Sequence, residues 1–309
     1  MIFRLDGVTK EYSGFRALDD VSVEVEPGSI GLLGPNGAGK STMIKLLLGL
    51  VRLTRGRAEV LGRDVRNAVS IREVVGYMPE DDCYIAGLRG VEIVARTAEL
   101  AGIPPLTALR RAHEMLDYVQ LGESRYREVQ TYSTGMKQRI RLAIALVHSP
   151  QLVFLDEPTS GMDPDGREQM LELVRDLARN KGVSVVISTH ILHDVEACCD
   201  AAMILSRGKL LRYDTLENLR RTVDTAVTVR IGGGDSNRLA TALRNRGFSA
   251  EATSADVVRA SGEGDLSGQL LEATLQCGMS LHEITPARNS LEKIFLQSLR
   301  DDGASHANS

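Results

Sequence analysis

The sequence predicts an α/β protein with a mostly parallel central sheet, and two observations support this fold class. Short apolar runs such as LVFLDEP and VSVVISTH alternate with helical patterns such as GREQMLELVRDLARN. Buried strands of this kind occur in parallel sheets that helices cover on both faces. In addition, a glycine-rich loop joins the apolar run SIGLLG to the helical pattern STMIKLLLGLV. A strand, loop and helix in this order fit the same class.

The remaining segments predict an N-terminal antiparallel β part, a helical insert and a C-terminal appendage. IFRLDGVTKEY and ALDDVSVEVEPG read as β-strands, and the stretch from about 87 to 148 is helical in pattern. A small α+β pattern then follows in the C-terminal part of the chain, and it consists of TAVTVRI, NRLATALRNRG, DVVRAS and LSGQLLEATLQCG. We therefore expect one domain over 1–221 that contains the insert, a second over 222–300, and a disordered tail over 301–309.

Composition restricts the classes of partner. The chain has 309 residues, is 43% hydrophobic and 25% charged, and carries a net charge of −4, which is typical of a soluble globular protein. From residue 222 onward, 8 Arg and Lys oppose 11 Asp and Glu, so we expect no nucleic-acid partner. The four cysteines form no CxxC pair, which favours reduced thiols in the cytosol. No apolar run approaches the roughly 20 residues that span a bilayer, so a membrane role would require a partner.

The loop GPNGAGKST fits the phosphate-loop pattern G-x-x-x-x-G-K-[ST]. Its glycines let backbone N–H groups approach phosphate oxygens, Lys40 supplies a positive charge, and the Ser41 hydroxyl can face Mg²⁺. The alternative is a glycine-rich turn before an ordinary helix, which the flanking strand and helix disfavour. The predicted nucleotide ligands of this loop are Gly34, Pro35, Asn36, Gly37, Ala38, Gly39, Lys40, Ser41 and Thr42.

Two apolar strands end in residues that can perform chemistry. LVFLDE ends in Asp156, which suits Mg²⁺, and Glu157, which can act as a general base on water. VSVVISTH ends in His190, which can bond a γ-phosphate and hold Glu157 and the water in place. The alternatives are a strand that simply reaches solvent at two acids, and a histidine with a structural role.

These motifs together resemble the ATP-binding subunit of an ABC transporter, over about residues 1–213. GPNGAGKS resembles the Walker A motif, LVFLDE the Walker B motif with its catalytic glutamate, and SGMD the D-loop. The resemblance implies a P-loop NTPase fold of the ABC cassette type, with ATP and Mg²⁺ as cofactors. It assigns the switch histidine to His190 and nucleotide contacts to Asp163. By the same resemblance, the ring of Tyr12 stacks on adenine.

A second turn of the phosphate-binding type occurs far from the first. YSTGMKQR has hydroxyl groups and a glycine at the start of a helical pattern, and it resembles the family signature LSGGQ. The resemblance implies that Ser133, Thr134 and Gly135 bind the nucleotide held by another subunit. The partner would be a second copy of the chain, or a different ABC subunit in a heterodimer. Ser133 or Thr134 is also expected to cap a helix over 137–148.

The segment VVGYMPED has Glu80 where the family usually has a glutamine. A glutamate there can still face a metal ion or water, and it adds negative charge beside the two acids of the Walker B motif. The predicted metal ligands are therefore Ser41, Glu80 and Asp156.

Within the family, GYMPED, YSTGMKQR and SLEKIFLQSL most resemble subunits of ABC-2 type exporters. The resemblance implies an ATP-hydrolysing subunit that powers a separate integral membrane permease from the cytoplasmic face of the cell membrane. The alternative is a soluble ABC-type ATPase that acts in translation or repair. Such proteins usually carry two cassettes or long coiled coils, whereas this chain has one cassette and no heptad run. A non-catalytic nucleotide sensor would need a broken catalytic set.

Overall fold

The computed structural model describes residues 1–81, 85, 87–222, 227–262, 265–286, 295–296 and 298. The chain divides into two compact units, Met1–Thr215 with Ser298–Ser309, and Leu216–Gln297. The boundary predicted near Thr222 falls at the end of a helix, Leu216–Thr222. The predicted tail over 301–309 lies outside the described residues.

The first unit contains ten strands and seven α-helices among its described residues. The strands are β1 (Phe3–Tyr12), β2 (Phe15–Val25), β3 (Ser29–Leu33), β4 (Arg55–Val60), β5 (Arg63–Asp64), β6 (Val75–Met78), β7 (Leu152–Asp156), β8 (Ser184–Thr189), β9 (Ala201–Ser206) and β10 (Lys209–Thr215). The helices are α1 (Lys40–Leu47), α2 (Ala68–Arg72), α3 (Gly90–Leu100), α4 (Pro105–Tyr118), α5 (Thr134–Leu146), α6 (Pro164–Asn180) and α7 (Leu192–Cys198).

The central sheet has six strands in the order β10-β9-β3-β8-β7-β6, and only the β9–β10 pair is antiparallel. Every residue of β3, β7 and β8 is buried, because helices cover the sheet. A second, antiparallel sheet has the order β2-β1-β4-β5. The predicted α/β class, with its mostly parallel sheet and antiparallel N-terminal part, is confirmed.

One apolar core joins the two sheets and α1. Phe3 of β1 lies with its ring centroid 6.4 Å from that of Phe154 of β7, and both side chains are buried. Met43 and Ile44 of α1 belong to the same cluster. This packing fixes α1 against the sheet, so the loop that precedes the helix has a defined place at the end of β3.

The parallel strands determine where the polar side chains collect. β3, β6, β7 and β8 run in the same direction, so the loops that follow them leave the sheet at one edge. These loops carry the glycine-rich segment, Glu80, Glu157 and His190. The helical insert, with α3, α4, α5 and two 3₁₀ turns (Gly122–Tyr126 and Val129–Thr131), lies between β6 and β7 in the chain. Its last helix begins at Thr134, three residues earlier than the predicted start at residue 137.

The second unit begins with α8 (Leu216–Thr222) and then follows a β-α-β-β-α-β order. Its elements are β11 (Val227–Gly232), α9 (Ser236–Arg244), β12 (Ser249–Ser254), β13 (Val257–Ser261), α10 (Leu266–Gln276) and β14 (Ser280–Pro286). The four strands form one antiparallel sheet in the order β12-β13-β11-β14. Element order and strand order are those of a ferredoxin-like fold. Its core includes Val229, Leu239, Val258 and Leu270.

Candidate nucleotide-binding site

The glycine-rich loop presents backbone N–H groups at the start of α1. Gly39, the residue before the helix, has φ +105°, and a Cβ there would lie 2.5 Å from the carbonyl oxygen of Ala17. Only glycine fits this position. No described side chain caps the first turn of α1. The helix N-terminus therefore keeps free N–H groups and a partial positive charge, which suit an anion.

Lys40 lies over the glycine-rich loop. Its side chain is buried, and Nζ donates hydrogen bonds to the carbonyl oxygens of Gly34 at 2.7 Å and Pro35 at 3.2 Å. Burial lowers the pKa of Lys40, and the charges of Glu157, Asp156 and Glu80 act in the opposite direction and raise it. The three carboxylates and one ammonium group therefore share one electrostatic environment.

Glu157 follows β7 in a strained backbone conformation. Its φ of +49° is uncommon for a residue with a side chain, and its backbone N–H donates to the carbonyl oxygen of Ser188 on β8 at 2.9 Å. The same Ser188 is the register partner of Asp156. Strain of this kind persists where the surrounding structure enforces it, as it often does at functional sites.

His190 and Thr189 hold the buried Glu157 carboxylate. His190 Nδ1 lies 2.8 Å from Glu157 Oε1, and Thr189 Oγ1 lies 3.5 Å from Oε2. An ionised carboxylate only accepts hydrogen bonds, so His190 donates from Nδ1. The Glu157 side chain is 9% exposed, whereas that of His190 is 57% exposed. The imidazole therefore reaches toward solvent while it fixes the orientation of a buried carboxylate.

These groups line one concavity of about 370 Å³. The predicted site residues that line it are Asn36, Gly37, Ala38, Gly39, Lys40, Ser41, Thr42, Glu80, Asp156, Glu157 and His190. Gly34 and Pro35 take part through the carbonyl oxygens that bind Lys40. Among the described residues, no three His, Cys, Asp or Glu side chains are close enough together to hold a metal ion on their own.

One aromatic side chain with no predicted role, that of Phe15, also lines this concavity. Phe15 is 62% exposed, although exposed phenylalanine is costly in water. Tyr12, the predicted stacking residue, is not among the lining residues, and Lys10 Nζ lies 4.4 Å from the centroid of its ring. Tyr12 and Phe15 are register partners across the β1–β2 turn. An apolar aromatic residue at an exposed turn was the signal that could have identified Phe15.

Other predicted nucleotide ligands line a different concavity, of about 400 Å³. Ser133, Gly135 and Asp163 lie there together with Arg139 of α5. Thr134 is exposed and adjoins Gly161, where an added Cβ would lie 3.1 Å from the Thr134 methyl group. The structure thus separates the predicted ligands into two groups on one chain, one around Lys40 and one around Ser133.

The turn before α5 is built around a buried tyrosine. Ser133 Oγ accepts a hydrogen bond from the backbone N–H of Met136 at 3.3 Å, which confirms the predicted cap. The Tyr132 side chain points into the insert, where its hydroxyl donates to the carbonyl oxygen of Ser124 at 2.7 Å. Gly90, the first residue of α3, adjoins that hydroxyl. Tyr132 therefore anchors the turn to the insert and leaves Ser133 exposed.

This packing predicts a coupling between Gly90 and Tyr132. A methyl group on Gly90 would lie 2.2 Å from Tyr132 Oη, so Gly90→Ala should destabilise the protein by about 1–3 kcal/mol. Tyr132→Phe should cost about 1 kcal/mol, because the Ser124 carbonyl oxygen loses the hydrogen bond from the Tyr132 hydroxyl and keeps only the one from the Arg127 N–H. The double variant should be more stable than the sum of the two effects predicts, since the clashing oxygen is absent. Urea unfolding of the four proteins measures the coupling, and strict additivity would contradict it.

The helices of the described residues include none that is long and apolar enough to cross a lipid bilayer.

Comparison with known proteins gives one consistent result. The family model for ABC transporters matches residues 18–160. An uncharacterised ABC transporter ATP-binding protein of Synechocystis is 36% identical over 290 residues, which cover 93% of this chain and 79% of that protein. The bacitracin transport ATP-binding protein of Bacillus licheniformis is 32% identical over 301 residues, 96% of each chain.

The fold is also that of solved ATP-binding cassettes. A dimeric cassette in a post-hydrolysis state, bound to ADP and phosphate, is similar with a TM-score of 0.65. It is 24% identical, and the match covers 70% of this chain and 99% of that one. The predicted cassette fold is confirmed by this likeness.

Proposed function

Because the chain belongs to the family of ABC transporter ATP-binding proteins, we propose that it hydrolyses MgATP to drive a separate membrane permease, of the ABC-2 exporter type. The observation that carries the proposal is the grouping of Lys40, Asp156, Glu157 and His190 in one concavity. A cation for phosphate, an acid for a metal ion and an oriented general base are the groups that phosphoryl transfer to water requires.

The residues present fit a bound MgATP. The uncapped start of α1 and the ammonium group of Lys40 suit the phosphates. Ser41 and Asp156 supply a hydroxyl and a carboxylate for Mg²⁺, with Glu80 on the same concavity. No trio of acidic or imidazole side chains is needed, because Mg²⁺ in such sites takes most of its ligands from phosphate and water. The metal ion supplies charge neutralisation for the phosphate groups.

Glu157 performs the proton transfer in this proposal. Its carboxylate is buried and accepts a hydrogen bond from His190 Nδ1, which leaves Oε2 to accept a proton from the attacking water. Thr189 Oγ1 lies 3.5 Å from Glu157 Oε2, and this long contact leaves Oε2 able to accept from a second donor. Phe15, exposed at the rim of the same concavity, offers a ring for the adenine to stack on, beside or instead of Tyr12.

The two concavities support a shared site in a dimer. Ser133 and Gly135 lie at a helix start of the anion-binding type, yet they do not line the concavity around Lys40 of their own chain. In a two-fold symmetric dimer, each such turn faces the phosphates held by the partner, so the interface encloses two nucleotides. The dimeric state of a cassette with this fold supports the same arrangement.

The permease is a separate chain in this proposal, and the protein binds it at the cytoplasmic face of the membrane. A relative that is 32% identical over 96% of the chain is named a bacitracin transport ATP-binding protein, which supports a role in transport. A soluble ATPase of translation or repair is not favoured, since the relatives carry transport names. The acidic balance from residue 222 onward also argues against a nucleic-acid partner.

The loop after β6 is the proposed permease contact, because it connects the concavity to the helical insert. A photo-crosslinking amino acid at Asp81 or at Ile85, which is 68% exposed, should form an adduct with an integral membrane protein in native membranes. The same group at Glu59 on β4, an exposed control, should form none. Adducts from Leu275 of the second unit alone would contradict the assignment of this loop.

A further inference from the structure

The proposed chemistry does not explain why one cationic side chain, that of Arg141, is buried in the structure. Arg141 of α5 is 4% exposed, and its Nη1 donates to the carbonyl oxygens of Pro79, at 3.1 Å, and of Glu80. No described carboxylate forms an ion pair with it, and its Nε has no hydrogen-bond partner among the described residues. A guanidinium group is costly to bury without an opposite charge.

The position of Arg141 joins two parts of the site. It lies eight residues after Ser133 on the helix that Ser133 caps. Three residues before it, on the same helical face, Gln138 Nε2 donates to the carbonyl oxygen of Ser160 at 2.9 Å. Ser160 and Glu80 both line the concavity around Lys40. One face of α5 is therefore bonded to two loops of that concavity.

We propose that Arg141 is a positioning residue that holds Glu80 in the nucleotide site, and that it thereby connects this loop to the helix that begins at Ser133. The Arg141 guanidinium binds the backbone carbonyl oxygens of Pro79 and Glu80. It therefore holds the backbone from which the Glu80 side chain projects. Glu80 lines the concavity around Lys40, where the phosphates are proposed to bind. This inference rests on the proposed function.

Arg141→Met distinguishes positioning from stability. Methionine packs well in apolar surroundings, and the substitution removes a charge that is costly to bury without a partner. We expect Arg141→Met to stay folded, while hydrogen exchange of backbone amides over 77–88 becomes about fivefold faster or more. Gln138→Ala is the matched control, because it should accelerate exchange over 158–163 instead. Arg141→Lys keeps a donor and a charge, so it should recover part of the protection.

The link to Glu80 is measured by the Mg²⁺ dependence of ATP binding. This dependence is expressed as a ratio, the Kd for ATP in EDTA divided by the Kd for ATP in Mg²⁺. Because Glu80 adds negative charge near the phosphates, Glu80→Gln should lower the ratio by about threefold or more. Arg141→Met should lower it to the same extent, and Glu80→Gln with Arg141→Met should lower it no further.

The outcomes test two proposals separately, the role of Arg141 and the proposed function. Faster exchange over 77–88 together with a non-additive loss of Mg²⁺ dependence supports the role of Arg141. Unchanged exchange over 77–88, or an effect of Arg141→Met that adds to that of Glu80→Gln, overturns it. If the unmodified protein bound no ATP, the proposed function would fall, whereas the exchange measurement would still decide whether Arg141 holds the loop.

Discussion

Replacing Glu157 with Gln will lower the rate of ATP hydrolysis by about 10²-fold or more and will leave ATP binding intact. An amide has the shape of the carboxylate, and its oxygen can still accept the hydrogen bond from His190 Nδ1, 2.8 Å away in the unmodified protein. It cannot accept a proton from water, which removes general-base catalysis worth typically about 10²–10⁴-fold. Steady-state phosphate release and equilibrium ATP binding, measured with the membrane partner present, separate the two effects.

A matched substitution tests whether the effect belongs to the site. Glu172 lies on the exposed face of α6, and Glu172→Gln makes the same chemical change away from the concavity. Its turnover should equal that of the unmodified protein. His190→Ala should also slow turnover, because the Glu157 carboxylate loses the donor that orients it. Unchanged turnover in Glu157→Gln would remove this residue from the mechanism.

Three strands of the central sheet, β3, β7 and β8, were predictable because their composition marks them. β7 and β8 are fully buried, so their sequences are apolar throughout and end abruptly at polar residues. The motif residues at those ends could be assigned to one edge of the sheet for the same reason. β6, β9 and β10 of the central sheet were not predicted. β4 and β12 were not predicted either, because only alternate or isolated positions of these two strands are buried and their sequences, RGRAEV and SAEATS, are largely polar.

Contacts between distant segments could not be predicted from local pattern. Arg141 reads as one polar residue in the helical run RIRLAIAL, yet its guanidinium binds backbone carbonyls about 60 residues earlier in the chain. Tyr132 is likewise buried against Gly90 through a contact that no spacing rule indicates. Backbone carbonyl acceptors carry no residue signature, so such pairs appear only when the fold brings the segments together.

ATP will convert the Glu157→Gln variant from monomer to dimer, and this shift will depend on the exposed turn at Ser133. A variant that binds but does not cleave ATP retains the ligand that bridges the two chains, so the dimer accumulates. Size-exclusion chromatography with light scattering, with and without MgATP, measures the shift. A monomer at all ATP concentrations, in buffer and with the membrane partner, would contradict the shared site.

A pair of second substitutions tests which residues from each chain form the shared site. Gly135 can carry a side chain, since an added Cβ would meet only the Met162 methyl group at 3.5 Å, so Gly135→Asp should fold normally. Its carboxylate would repel the phosphates held by the partner, and Lys40→Ala would weaken phosphate binding in the chain's own loop. In the Glu157→Gln background, each change alone should abolish the ATP-dependent dimer. A mixture of the two should restore it in part, because the unaltered turn of the Lys40→Ala chain then faces the unaltered loop of the Gly135→Asp chain. Only a site divided between two chains gives recovery on mixing.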